Sequence, residues 1–365
     1  MFHKIIKYLL VILSFYIFVN PSSFASHLKG KSKETKGKYF NLRIEKIPSK
    51  FNQTLIKPSS NPKELEKHLV ENKNTKKIEK IIQKSSLLSV LYFDGSKVII
   101  DKKSKKISNN TKLYSFSISK SFVSYILGDA VCKGHIKSLD DKVSNYLPDL
   151  NNSLYSQSTF KELINMTAGD LNFLKRKDWA ETPYASAIIG KKLTVKDVIQ
   201  NSSQSELSKK KWKYNNLLTD IVARSIDITV PGGLKSLYQD FANKAGTENQ
   251  MFYMSDENGW PLLHGWFYAT REDFLRLAIH ISNEWKKESC IGKYLQNIET
   301  MKVNADGNAK YAGYFWFDKK DKPRHAQMRG HGHQRVNINL EDGSVLLINS
   351  IAQDFNINSI FKLLK

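Results

Sequence analysis

Ser117 and Lys120 stand three residues apart in "KLYSFSISKSFVSYIL", residues 112–127. On a helix that spacing puts both on one face. A serine hydroxyl is a weak nucleophile until a base removes its proton. A lysine becomes that base only when burial or a nearby positive field lowers its pKa from about 10.4 toward neutrality. The S-x-x-K spacing also occurs at Ser26–Lys29, Ser60–Lys63, Ser158–Lys161, Ser208–Lys211 and Ser359–Lys362, and most such matches are solvated surface pairs. Context sets Ser117 apart. It follows an expected hairpin and opens an apolar helix carrying Phe122, Val123, Ile126 and Leu127. Lys120 is therefore expected beside a packed interior, and the helix N-terminus favours developing negative charge.

Two further stretches carry candidate chemistry. "KWKYNNLLTDIVARS" holds Tyr214 and Asn216 as Y-x-N just before another apolar helix. A tyrosine near a lysine relays protons, and an amide holds a substrate carbonyl or orients the lysine. The same spacing occurs at Tyr39–Asn41, and the plainer reading is a buried tyrosine with a capping asparagine. "MRGHGHQRVNIN" places Gly-His-Gly before a strand, where backbone N–H groups can approach a ligand. Surface histidines in a loop are the plainer reading there. Metal is a rival: His331 and His333 share a face if the strand begins this early, with His325 as a third ligand. No carboxylate or cysteine stands at convincing spacing, so neither a metal nor an organic cofactor is expected.

The elements that must position these residues are legible in part. "LLSVLYFDGSKVIIDKK" reads as a β-hairpin turning at Asp94-Gly95, and "RVNINLEDGSVLLINSI" as another turning at Asp342-Gly343. Helical patterns dominate from about 121 to 290, several behind a Thr in N-cap position. Aromatic-rich "YAGYFWFD" reads as strand, and "FNINSIFKLLK" as a terminal helix. The expected architecture is α+β and two-lobed: one antiparallel sheet from N- and C-terminal segments, flanked by helices, with a mostly helical inserted lobe. A site is expected in the cleft between lobes. Before the hairpin, "NPKELEKHLVENKNTKKIEKIIQKS" reads as one helix starting near Pro62. There is no internal repeat.

Residues 1–25 read as a signal peptide. Lys4 and Lys7 precede an apolar run from Tyr8 to Val19, and cleavage is expected after Ala25. That run is short for a bilayer span, although a retained anchor is the alternative. Residues 26–84 read as a linker and extension, and 85–365 as the main domain. The chain is thus expected to be exported, to the periplasm or beyond. Of the cysteines, Cys132 lies in an apolar helical stretch and reads as a buried free thiol, with pairing to Cys290 as the alternative in an oxidising compartment. The formal net charge is +22. It suits an anionic envelope polymer or membrane surface, or simply reflects lysine spread along a chain also rich in Asn, Ile and Ser. Nucleic acid is not an expected partner of an exported chain.

Taken in order, these pieces resemble the serine hydrolases built on the class C β-lactamase and penicillin-binding-protein fold, above all the esterase and 6-aminohexanoate-dimer-hydrolase branch. The likeness runs from about 85 to 360. It rests on the opening hairpin, on "YSFSISKSFVSYILGDAVCKGHIKSLDDKVSNYLPDL", "TFKELINMTAGDL", "KYNN" and "FYATREDFLRLA", and on the closing "GYFWF" and "GHGHQRVNIN". The resemblance implies Ser117 as acylated nucleophile and Lys120 sharing its proton. Tyr214 would be base or relay, and Asn216 and His331 would face substrate. The backbone N–H groups of Ser117 and Gln334 would form an oxyanion hole. Which of Lys120 and Tyr214 takes the proton is left open.

Two departures bear on substrate. Where β-lactamases carry Lys-x-Gly, this chain has His331 in the lysine position and His333 in the glycine position, where a side chain could crowd the strand edge. A lysine is a standing cation, whereas a histidine is mostly neutral above about pH 7. The expected substrate is a small ester, amide or peptide-like molecule without an obligatory carboxylate at that point, unless Arg329 or Arg335 restores the charge. A β-lactamase or D-alanyl-D-alanine carboxypeptidase, and a catalytically idle envelope binder, are the alternatives.

Overall fold

The computed structural model describes residues 51–168, 194–201, 211–307, 309–318 and 324–364. The signal peptide read over 1–25 and the start of the extension lie outside these. In chain order the elements are β1 (Asn52–Ile56), α1 (Lys73–Lys84), β2 (Leu87–Phe93), β3 (Val98–Lys103), β4 (Leu113–Tyr114), α2 (Ile118–Cys132), α3 (Phe160–Ile164), α4 (Val195–Asn201), α5 (Asn216–Thr229) and α6 (Gly233–Ala245). There follow β5 (Met251–Ser255), β6 (Phe267–Ala269), α7 (Arg271–Trp285), α8 (Cys290–Thr300), β7 (Val303–Asn304), β8 (Ala309–Ala312), β9 (Phe315–Asp318), β10 (His325–Gly330), β11 (Gln334–Asn339), β12 (Val345–Ser350) and α9 (Ile357–Leu363).

Both Asp-Gly turns form as the sequence predicts. Asp94 Oδ1 accepts the N–H groups of Ser96 and Lys97 at 2.9 Å each, and Gly95 takes φ +107°. The two hairpins join through β12 against β2, Val90 opposite Ile348, within an eight-stranded sheet ordered β3-β2-β12-β11-β10-β9-β8-β7. All its pairings are antiparallel. Side chains alternate between its faces. Val90, Ile100, Leu346 and Ile348 pack outward on Ile78 and Ile82 of α1 and Ile360 of α9. Leu91, Val336, Ile338 and Leu347 join the main core on the other side. The α+β architecture expected from the sequence is the one observed.

The sequence reading differs from the structure at three places. A second sheet, ordered β1-β5-β6-β4, was not anticipated. β4 has 2 residues and β6 has 3, too few to show a period, and β5 is buried at every position, so it does not alternate. Next, the helix expected from Pro62 starts eleven residues later, at Lys73. Asn72 caps α1, accepting from Asn74 and Thr75 N–H while Thr75 Oγ1 accepts the Asn72 N–H. Upstream, the chain lies extended on β3, with Val98 N–H donating to Glu66 O and His68 N–H to Val98 O. The described part of the extension, 51–84, is therefore tied into the domain. No helix among the described residues is long and apolar enough to cross a membrane.

The third difference is a correction. Cys132, read as a free thiol, is bonded to Cys290. Cys132 ends α2 and Cys290 begins α8, and these helices cross closely: a Cβ on Gly128 would stand 2.4 Å from the Tyr294 ring. A sequence cannot show that proximity, because the two cysteines are 158 positions apart. So long a closed loop gives the cross-link a large effect on the unfolded chain. Replacing both cysteines by serine is expected to cost about 2–5 kcal/mol. Thermal unfolding with and without reductant checks this; identical midpoints would show that the bond does not form.

Candidate active site

Ser117 sits at the N-cap of α2, the central helix, whose residues 118–130 are all buried. Burial on every side marks a helix enclosed by others, and its serines hydrogen-bond to Leu263 O, Tyr314 O and the Tyr294 hydroxyl. Phe116, just before it, has φ +47°, a left-handed conformation that costs a non-glycine residue about 1–2 kcal/mol. The surrounding bonds hold it there. Ser115 Oγ donates to Gly265 O at 2.8 Å, and Ser119 Oγ to Leu263 O at 2.7 Å. This turn sets Ser117 at the helix mouth, where first-turn N–H groups lack intrahelical acceptors.

Lys120 is 1% exposed, and its Nζ lies 3.1 Å from Ser117 Oγ. Nζ also donates to the backbone oxygen of His264. Burial pushes the lysine down to about 7, against the opposing pull of Asp220. The ring of Tyr214 stands 5.3 Å from Nζ. Burial pushes the Tyr214 phenol up, countered in part by its hydrogen bond with Ser117. An amine close to neutrality, a hydroxyl and a protonated phenol are thus brought together. Such a trio can move a proton off the hydroxyl without any group holding a full buried charge beforehand.

The second motif separates into two roles. Asn215, not Asn216, caps α5, its side chain accepting the Leu217 N–H at 3.0 Å. Asn216 is left with a buried Oδ1 that has no hydrogen-bond partner among the described residues. Such an atom costs free energy unless a ligand or water satisfies it.

The third motif is placed differently from the reading that supported metal. His331–His333 form a single 3-10 turn closing the β10–β11 hairpin, with Gly332 at φ +74° and His333 at φ +65°. The strand begins only at Gln334. His325 lies at the other end of the 6-residue β10, about 3.3 Å further per residue. Among the described residues no three His, Cys, Asp or Glu groups come together to hold a metal. The His331 ring lies 5.5 Å from that of Phe116, beside the Ser117 turn. His333 directs its ring edge toward Phe355 at 5.3 Å. The Gln334 N–H, expected as a second oxyanion donor, donates to His331 O within the turn. Its side chain donates to Tyr114 O at 2.6 Å.

Sequence reasoning missed the residues behind Lys120. Asp220 is fully buried and accepts both the backbone N–H and the ring Nδ1–H of His264, each at 2.7 Å. It thereby holds the carbonyl that orients the lysine. A carboxylate amid "LLTDIVA" and a histidine amid "PLLHGWF" were the available signals. An aromatic wall was missed too: Trp316 stacks on Tyr214 at 6.1 Å, with Trp212 and Tyr311 packed against both.

Residues 78–226, the span carrying Ser117, Lys120, Tyr214 and Asn216, match the family model described as Beta-lactamase. Over that span the chain is similar to the β-lactamase family. No curated protein matches it in sequence. Solved structures share this fold at low identity. A Bacillus anthracis protein assigned as a 6-aminohexanoate-dimer hydrolase is 14% identical, with TM-score 0.69 over 92% of each chain. The hydrolase EstCE1, described as having promiscuous acyltransferase activity, is 13% identical, with TM-score 0.63 over 80% of this chain and 97% of its own. A D-alanine carboxypeptidase AmpC from Burkholderia cenocepacia is 14% identical, with TM-score 0.54 over 80% of this chain and 97% of its own.

Proposed function

We propose that this β-lactamase-like serine hydrolase is exported and cleaves a small ester or amide through an acyl-enzyme on Ser117. The observation that carries the reading is the buried Lys120 amine, 3.1 Å from the Ser117 hydroxyl and lowered to about 7. With one N–H held by His264 O, the neutral amine turns its lone pair to Ser117 Oγ–H. Oγ attacks the substrate carbonyl as its proton passes to Lys120. The carbonyl oxygen gains charge beside the Ser117 N–H at the helix N-terminus. Collapse breaks the bond to the leaving group, which takes the proton from Lys120 or through Tyr214. Water then repeats the sequence on the acyl-enzyme and releases the acid. Tyr214 acts as a protonated relay, since its phenol is held above its ordinary value. Asn216 Oδ1 accepts a substrate N–H. The Cys132–Cys290 bond supports export, because such bonds persist in oxidising compartments. The net charge of +22 supports accompanying attraction to an anionic envelope.

A fluorophosphonate is expected to add covalently to the wild type at Ser117, by mass, and not to Ser117→Ala. Unlabelled wild type would sink the assignment and favour an idle binder. Equivalent labelling by a fluorescent penicillin would move the substrate class to β-lactams and cell-wall peptides.

A further inference from the structure

Arg329 on β10 and Arg335 on β11 stand directly opposite each other. Like charges in that relation repel, yet little here offsets them. Both guanidiniums donate to the same Gln327 Oε1, Arg329 Nε at 2.9 Å and Arg335 Nη1 at 3.3 Å. Asp318 approaches Arg329 only to 3.9 Å and is shared with His325 at 3.6 Å and with Gln327 Nε2 at 2.9 Å. Among the described residues Arg335 has no carboxylate within ion-pair distance, Asp318 attracting it only from further off, and its buried Nε has no hydrogen-bond partner there. Burial, with Arg329 alongside, pushes Arg335 down to about 9, so it is still a cation at neutral pH.

This pair adjoins the site. Arg329 lies 4.9 Å over the Trp316 ring, and Trp316 stacks on Tyr214. One indole therefore separates the Arg329 guanidinium from the tyrosine that touches Ser117. We propose that Arg329 and Arg335 form a subsite for a carboxylate of the substrate, several atoms from the scissile carbonyl. The subsite rests on the reading of Ser117 as nucleophile. Planar guanidinium edges match a carboxylate in two-point hydrogen bonding, and an anion there relieves the repulsion between the arginines. The aromatic wall accommodates the apolar or aryl segment joining carboxylate to carbonyl. The substrate class is a half-ester or half-amide of a dicarboxylic acid, or an ester or amide whose leaving group ends in a carboxylate. The charge that a lysine would supply at the third motif is thus supplied two and four residues from His331, on the two strands that flank the turn.

Binding is tested apart from turnover in the Ser117→Ala protein. Titration with glutarate or benzoate is expected to change tryptophan emission, because Trp316 lies against Arg329. Arg329→Gln and Arg335→Gln, each checked for an intact melting transition, are expected to weaken that binding by about tenfold, the equivalent of one charged hydrogen bond. Inorganic phosphate is expected to bind less tightly than either carboxylate. With active protein, p-nitrophenyl valerate against p-nitrophenyl hemiglutarate probes the acyl side, and phenyl acetate against 4-acetoxybenzoate the leaving side. The carboxylated ester should show about tenfold higher kcat/KM in at least one pair, and each arginine variant should remove that preference. Arginine-dependent carboxylate binding without turnover of any ester would overturn the hydrolase reading and leave the subsite standing. Absent carboxylate binding, binding unaltered in both variants, or tighter binding of phosphate would overturn the subsite.

Discussion

Lys120→Met is expected to lower ester turnover about 10³-fold, within the usual span for a general base, while making the protein more resistant to heat. The two effects share one cause. In the unfolded chain Lys120 ionises near 10.5, and in the fold near 7. Below about pH 7 both states carry the proton, and the fold bears the whole cost of a buried ammonium, a few kcal/mol at the usual conversion. Between 7 and 10.5 the unfolded chain binds the extra proton, so stability rises with pH across that window. Above it both states are neutral and the penalty is gone. A methionine of similar length removes the penalty at every pH. The gain in melting temperature should therefore be largest at about pH 6 and vanish by about pH 10 to 11. Wild-type kcat/KM should rise with pH through about 7, as the amine loses its proton. A variant that melts lower than wild type in acid, or retains turnover, would contradict this account. The site keeps a destabilising residue because its chemistry requires one.

What the sequence disclosed was local. The hairpins were legible because Asp-Gly supplies both the side-chain acceptor and the left-handed glycine in four residues. The opening of α2 was legible because Ser117 and Lys120 share a face and the helix behind them carries Phe122, Val123, Ile126 and Leu127. The start of α1 was misplaced because the stretch after Pro62 offers helical spacing, whereas its backbone hydrogen bonds go to β3. Pairings between distant segments left no local trace. The disulfide, the small second sheet, and the grip of Asp220 on His264 each join residues tens of positions apart. The same holds within the site. Sequence spacing placed Lys120 beside Ser117, but only the fold shows the carbonyl of His264 turning the amine toward the hydroxyl. Asn216 makes the point in reverse. The Y-x-N pattern left capping open, and the observed cap is Asn215, which leaves the Asn216 side-chain oxygen without a partner among the described residues.

Asp220→Asn is expected to shift the acidic limb of the pH–rate profile to lower pH while largely preserving the rate above it. Lys120 is faced by Asp220 from α5, by Tyr214 from the segment before α5, by Ser117 one turn back, and by the His264 carbonyl. Among these Asp220 is the group that raises the lysine's proton affinity, against the larger effect of burial. An amide in its place still accepts the His264 N–H through Oδ1, and the imidazole can answer the new NH₂ by moving its proton to Nε2. The clamp on the carbonyl survives, and the charge does not. The lysine then gives up its proton more readily, and the active form extends further into acid. Asp220→Ala separates the clamp from the charge. It removes the carboxylate that accepts the buried His264 N–H and ring nitrogen, at about 1–3 kcal/mol for each lost bond. Melting temperature should fall, and kcat should fall with it as the carbonyl loses its anchor. A merely structural aspartate would lower stability in both variants and move the acidic limb in neither. A limb that stays put or moves to higher pH in Asp220→Asn would therefore remove Asp220 from the tuning of Lys120 and leave burial as the sole cause.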